Sequence, residues 1–122
     1  MPFALVVDDK WVTASSHLKI LGLFGIKGVH ANTARTAVLM MREKKPDVIL
    51  LDVHMPGVDG FEFLKYIHQL PGFQDVPILV VTSDDQPETE ERMRSLGATE
   101  VLIKPLEIDA LEEVLKRAKV IE

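Results

Sequence analysis

The groups that could do chemistry in this chain lie far apart in sequence: the pair Asp8-Asp9, then Asp52, Thr82 and Lys104. Each directly follows a short apolar run. Leu5-Val6-Val7 meets Asp8, Val48-Ile49-Leu50-Leu51 meets Asp52, Val76-Pro77-Ile78-Leu79-Val80-Val81 meets Thr82, and Val101-Leu102-Ile103 meets Lys104. Taken singly, each has an ordinary reading. The aspartates could cap turns or helices, Thr82 could bond a backbone group, and Lys104 could be a solvated surface lysine. Their shared position argues otherwise. A short apolar run closed by turn residues reads as a strand buried on both faces. Open α/β sheets bind ligands beyond the carboxyl ends of such strands.

Three carboxylates on one edge repel. Two like charges 5 Å apart cost about 3 kcal/mol at an effective dielectric of 20. A cation would offset this, and hard oxygen donors suit Mg²⁺, which takes one or two carboxylates and keeps several waters. Lys104 adds a point charge suited to phosphate. Thr82 adds a hydroxyl that can donate to an incoming oxygen. An aspartate can attack phosphorus and become an aspartyl phosphate. The residues thus read as a Mg²⁺-assisted phosphoryl acceptor, with charge neutralisation and positioning doing the catalysis.

The elements between these runs must bring them together. Trp11, Ala14, Leu18 and Leu21 recur at helical spacing, and Gly22, Gly25 and Gly28 interrupt that pattern. Val29 lies in a second short strand, which offers no comparable group at the edge. Asn32 or Thr33 could cap a helix whose inner face is Ala34, Ala37, Val38 and Met41. Pro46 stops it. Asp59 could cap a third helix through Phe63, Leu64 and Ile67, closed by Pro71-Gly72. Asp84 or Asp85 is expected to cap a fourth helix near residues 86–96, with Pro87 in its first turn. Met93 and Leu96 are its only large apolar residues, so weak docking and mobility are expected. The last helix carries Ile108, Leu111, Leu115 and Ala118 on one stripe, with acids leading and bases trailing as the helix dipole favours. Five strands alternating with five helices argue an α/β parallel sheet covered on both faces. Trp11, the only tryptophan, is expected in the core. At the border of the site, its fluorescence would instead report on Mg²⁺.

Size and composition fit one domain over residues 1–122. The chain is 122 residues long and 47% hydrophobic. With no cysteine there is no disulfide framework. The opening apolar stretch meets Asp8-Asp9 too soon for a signal peptide, and no run approaches a membrane span. The net charge is -5 with no concentrated basic patch, which argues against direct nucleic-acid binding.

At Val7-Asp8-Asp9, Leu51-Asp52-Val53-His54-Met55-Pro56-Gly57-Val58-Asp59-Gly60, Val80-Val81-Thr82-Ser83, and Gly97-Ala98 running on to Lys104-Pro105, the chain resembles the receiver domain of two-component response regulators. The resemblance covers essentially the whole chain. It implies a flavodoxin-like doubly wound fold with strand order 2-1-3-4-5 and five helices. It implies that Asp52 accepts a phosphoryl group from the phosphohistidine of a sensor histidine kinase or phosphotransfer protein. Asp9 and Asp52 would hold Mg²⁺ directly, with the backbone carbonyl of His54, and Asp8 mainly through water. Lys104 would pair with the phosphoryl oxygens. Thr82 would move to bond them, repacking the face of the fourth helix, fifth strand and fifth helix. A cis Lys104-Pro105 bond, a downstream effector or output domain and a cytoplasmic setting belong to the same implication, which also admits a phosphorylation-dependent homodimer. Such a domain is a switch that catalyses its own phosphorylation and dephosphorylation, not an enzyme for outside substrates. His54 and Asp84 occupy positions that tune phosphoryl lifetime in this family, and the small Ser83 leaves access open. Val101 departs from the pattern, standing where the family often has a Tyr or Phe that swings inward. Any switch here would rest on Thr82 and the backbone.

Two rival readings differ in class. A phosphorylation-independent interaction module would keep the fold without the switch. A metal-dependent phosphatase would need a substrate pocket, for which the sequence shows no sign. A flavodoxin should have a Ser-, Thr- and Gly-rich loop after the first strand, where this chain has Asp8-Asp9-Lys10.

Overall fold

The computed structural model describes residues 2–122; Met1, at the head of the opening apolar stretch, lies outside the described residues. Strands and helices alternate: β1 (Phe3–Val7), α1 (Trp11–Leu23), β2 (Lys27–Ala31), α2 (Ala34–Glu43), β3 (Val48–Leu51), α3 (Gly60–Gln69), β4 (Ile78–Thr82), α4 (Pro87–Ser95), β5 (Glu100–Ile103) and α5 (Ile108–Arg117). All neighbouring strands pair in parallel, in the order β2-β1-β3-β4-β5. The expected doubly wound α/β sheet and its strand order are therefore what the chain forms.

The strands alternate between two cores, because successive side chains point to opposite faces. Leu5, Val7, Ile49, Leu51, Ile78 and Val80 face Ala37, Met41, Leu64, Ile67 and Met93 of α2, α3 and α4. Ala4, Val6, Val48, Leu50, Leu79 and Val81 face Ala14 and Leu21 of α1 and Leu111, Val114 and Leu115 of α5. Central strands buried on both sides explain the unbroken apolar runs.

Helix starts follow capping chemistry where a side chain can reach. Thr33 Oγ1 accepts the Thr36 N–H at 3.0 Å. Asp59 Oδ1 accepts the N–H groups of Phe61 and Glu62 at 3.0 and 3.2 Å. The α4 start corrects the expectation of an Asp84 or Asp85 cap. Gln86 is the N-cap residue and makes no side-chain cap bond. Pro87 at the first helical position holds the preceding residue extended and brings no N–H to be capped. Asp84 Oδ1 instead accepts the Gln86 N–H at 3.0 Å, closing a turn before the helix.

Three packing expectations also change. Trp11 is 61% exposed. It is the first residue of α1, above the carboxyl edge, and the buried stripe is Ala14, His17 and Leu21. On α5, Ile108 is exposed and Val114 is buried in its stead. The C-terminal half of α4 has more holding it than its two apolar residues suggest, although Met93 is its one buried residue. Met93 is fully buried and Arg92 lies 4.0 Å over the Phe61 ring. Arg94 bonds Glu90 and Glu100 at 3.0 and 3.2 Å, and the Thr99 carbonyl at 3.1 Å. This mostly polar helix is tied at its C-terminal end by two arginines, which apolar periodicity does not register.

Candidate functional site

The strand ends set the site. β3 delivers Asp52 with its N–H bonded to the Val7 carbonyl at 2.9 Å. Beyond it, Val53 and Met55 turn inward to the core while His54 stays outside. That alternation pins the loop after Asp52. Gly60 completes the anchor, because a Cβ there would run into the Val53 backbone. Only a glycine lets α3 start this close beneath the loop.

Asp8 and Asp52 continue the parity of Val6 and Leu50, and Lys104 that of Leu102, so all three lie toward α1 and α5. Thr82 continues the parity of Ile78 and Val80, toward the other face. Asp8, Asp9 and Asp52 each place a carboxylate oxygen within 4.8 Å of the others. Asp8 is 1% exposed and Asp52 6%. Asp52 has both oxygens engaged. Oδ1 accepts the His54 N–H at 2.9 Å, and Oδ2 lies 3.6 Å from Lys104 Nζ.

The acidic pair is less well satisfied. Asp8 Oδ1 accepts the Lys10 N–H at 2.9 Å, but Asp8 Oδ2 and Asp9 Oδ1 are buried without a hydrogen-bond partner. Buried carboxylate oxygens without donors are costly. Burial pushes the Asp8 carboxyl above its ordinary range, the Lys10 N–H draws it down, and Asp52 raises it again. Orphan anionic oxygens converging beside a third carboxylate fit a hard divalent cation such as Mg²⁺, which supplies the missing positive partner.

Thr82 is 1% exposed, and its hydroxyl accepts the Asp84 N–H at 3.1 Å. A hydroxyl that accepts retains its proton to donate. Lys104 is half-buried, its N–H donates to the Thr82 carbonyl at 2.8 Å, and Lys104-Pro105 is cis. The structure thus brings Asp8, Asp9, Asp52 and Lys104 together, with Thr82 at the adjoining strand end. His54 presents its backbone to Asp52 and its side chain to solvent.

Two histidines that the sequence reading passed over border the site. His17 of α1 is buried and lines a narrow cleft with Asp8 and Asp52. Burial holds its imidazole below its ordinary value, Lys104 adds to this, and Asp8 and Asp52 oppose it. His30 of β2 bonds the Asp8 carbonyl at 2.6 Å, and its ring lies 5.6 Å from that of Trp11. So β2 does contribute a group at this edge, and Trp11 borders it. A histidine at helical spacing, or one before a strand end, carries no signal in sequence for what it touches across elements. A cavity of about 580 Å³ lies at the opposite edge of the sheet, lined by Pro2, Lys45, Asp47, Asp75 and Lys119.

No helix among the described residues is long and apolar enough to cross a membrane. The family described as response regulator receiver domain matches residues 4–116. The chain is 36% identical over 114 residues to the transcriptional regulatory protein ZraR of Salmonella typhimurium, spanning 93% of this chain and 25% of that protein's length. It is 29% identical over 107 residues to Protein PilH of Pseudomonas aeruginosa, covering 88% of each. The solved structure of the chemotaxis protein CheY4 of Vibrio cholerae superposes with a TM-score of 0.88 at 31% identity, covering 97% of this chain and 98% of that one. With a family match over residues 4–116 and a parallel sheet in the order β2-β1-β3-β4-β5, the chain belongs to the response regulator receiver domain family.

Proposed function

We propose that this domain is a phosphorylation-controlled switch that accepts a phosphoryl group on Asp52. The donor is the phosphohistidine of a sensor histidine kinase or a phosphotransfer protein, and the setting is cytoplasmic. A carboxylate oxygen of Asp52 attacks phosphorus, and the P–N bond breaks with its electron pair going to the donor imidazole. Asp8, Asp9, Asp52 and the His54 carbonyl are the groups that would hold Mg²⁺. When bound, that ion supplies charge neutralisation for the transferring group. Lys104, already beside Asp52 Oδ2, would pair with the phosphoryl oxygens. Thr82 would donate its free proton to them.

The single observation carrying this reading is the pair of buried, unpartnered oxygens on Asp8 and Asp9 next to Asp52 and Lys104. An interaction module without the switch has no use for so costly a cluster. A phosphatase for outside substrates needs a pocket here, and the roomy cavity is at the far edge. The output follows from Thr82. Val101 is half-buried among apolar neighbours and offers no ring to swing. The signal therefore passes through the β4–α4 backbone to the surface of α4, β5 and α5, where an effector, an output domain or a second copy would read it.

Incubation with acetyl phosphate and Mg²⁺, followed by intact-mass and peptide analysis, tests the reading. One added phosphoryl group is expected, on Asp52, absent in Asp52→Ala and without metal. An unmodified Asp52 would favour the phosphorylation-independent module.

A further inference from the structure

We infer that His30 is a positioning residue for the acidic pair, holding from the neighbouring strand the peptide that joins Asp8 to Asp9. This rests on the phosphoacceptor reading above, since it concerns how those carboxylates are presented to a cation.

His30 Nε2 lies 2.6 Å from the Asp8 carbonyl oxygen. A carbonyl has no proton to give, so the ring nitrogen donates. This holds for the neutral and the charged ring alike, and the contact needs no change of protonation. The Asp8 carbonyl lies in the same rigid plane as the Asp9 N–H. It is also beyond the last paired residue of β1, for the β1–β2 register ends at Val7 opposite Ala31. The Asp8 N–H still reaches the Ala31 carbonyl at 3.1 Å. Strand pairing therefore grips Asp8 on its amino side, and the His30 side chain grips it on its carboxyl side.

That second grip has a consequence for the carboxylates. In extended chain, consecutive side chains point apart. Asp8 and Asp9 nevertheless both bring an oxygen within 4.8 Å of Asp52. Their shared peptide must hold one orientation to achieve this, against the mutual repulsion of the charges. His30 is placed to resist that rotation. The Trp11 ring lies beside the imidazole, its centroid 5.6 Å away and tilted by 40°.

Two variants separate a hydrogen-bond role from packing. His30→Leu keeps bulk and removes the donor. His30→Gln places an N–H at the same distance along the side chain. Folding is checked by circular dichroism. The amide resonance of Asp9 is recorded without metal, and Mg²⁺ affinity is measured by calorimetry. His30→Leu is expected to shift the Asp9 amide and weaken Mg²⁺ about tenfold, the scale typical of groups that orient metal ligands. Its phosphorylation rate should recover when Mg²⁺ is saturating. His30→Gln should restore affinity to within about twofold, well inside the range one hydrogen bond controls. Wild-type affinity in His30→Leu overturns the inference, as does a His30→Gln variant no better than His30→Leu. Both outcomes leave the phosphoacceptor reading standing. A wild-type protein that binds no Mg²⁺ defeats that reading instead, and the inference with it.

Discussion

Asp8 places a carboxylate where an unpaired charge is least favoured. Its folded pKa is raised chiefly by burial. The folded state therefore holds its proton to higher pH than the unfolded state does, and ionising Asp8 as pH rises lowers stability. Asp8→Asn should raise the metal-free melting temperature at neutral pH by about 4 °C, corresponding to ~1 kcal/mol in a domain of this size. The same variant should bind Mg²⁺ more weakly, so scanning calorimetry with and without the ion separates the two effects. His17 runs the other way. Its folded value lies below the ordinary 6.5, mainly through burial. As pH falls through 6.5 the unfolded chain takes a proton that the folded chain declines, and stability drops until the folded ring is protonated as well. The slope in that window approaches about 1.4 kcal/mol per pH unit. His17→Gln should flatten it in denaturation curves recorded at several pH values. An equally steep curve in the variant would assign the acid loss to other groups.

The two elements flanking the site each start on a local feature. Gly60 lets α3 begin against the Val53 backbone. Gly60→Ala must push the helix or the loop aside, at a cost of about 2 kcal/mol by urea unfolding, and it should slow phosphorylation because the same loop carries Asp52 and His54. At the head of α4, Thr82 Oγ1 accepts the Asp84 N–H and Asp84 Oδ1 accepts the Gln86 N–H. The Gln86 carbonyl in turn accepts the N–H groups of Thr89 and Glu90, each at 3.1 Å. Asp84→Ala should speed amide exchange at Thr89 and Glu90 while leaving Leu96 and Ala98 protected. Uniformly slow exchange would show that the turn does not secure the helix. The Asp59 cap, and the Thr33 cap as one of two candidates with Asn32, were legible from sequence because each acts on its own next residues. The α4 start was misread because Pro87 moved the boundary past both aspartates. Trp11 was misplaced because helical spacing gives its face but not how far the sheet extends beneath it.

For the whole molecule, alternation and apolar runs revealed a parallel sheet with both faces covered, and all four chemically loaded strand ends. They did not reveal strand order, which depends on crossovers between distant segments; the family motifs supplied it. Nor did they reveal His17 and His30, whose contacts run between elements. A cation bound only by the folded state stabilises the entire domain by mass action. Mg²⁺ at a hundred times its Kd should add about 2.7 kcal/mol, visible as a melting temperature that climbs with the logarithm of its concentration and falls back on chelation. The ion pairs of α4 have a broader consequence. Met93 is fully buried, and Arg94 and Arg117 share Glu100 at 3.2 and 3.3 Å, so the foot of the helix is tied to β5 and α5 at the end remote from Asp52. Among the described residues, its head is fastened through the Thr82–Asp84–Gln86 chain. A beam fixed at one end and hooked at the other swings only where it is hooked. A binding partner listening at the foot would therefore hear the same thing before and after phosphorylation, and one resting on the Pro87 turn would hear the change.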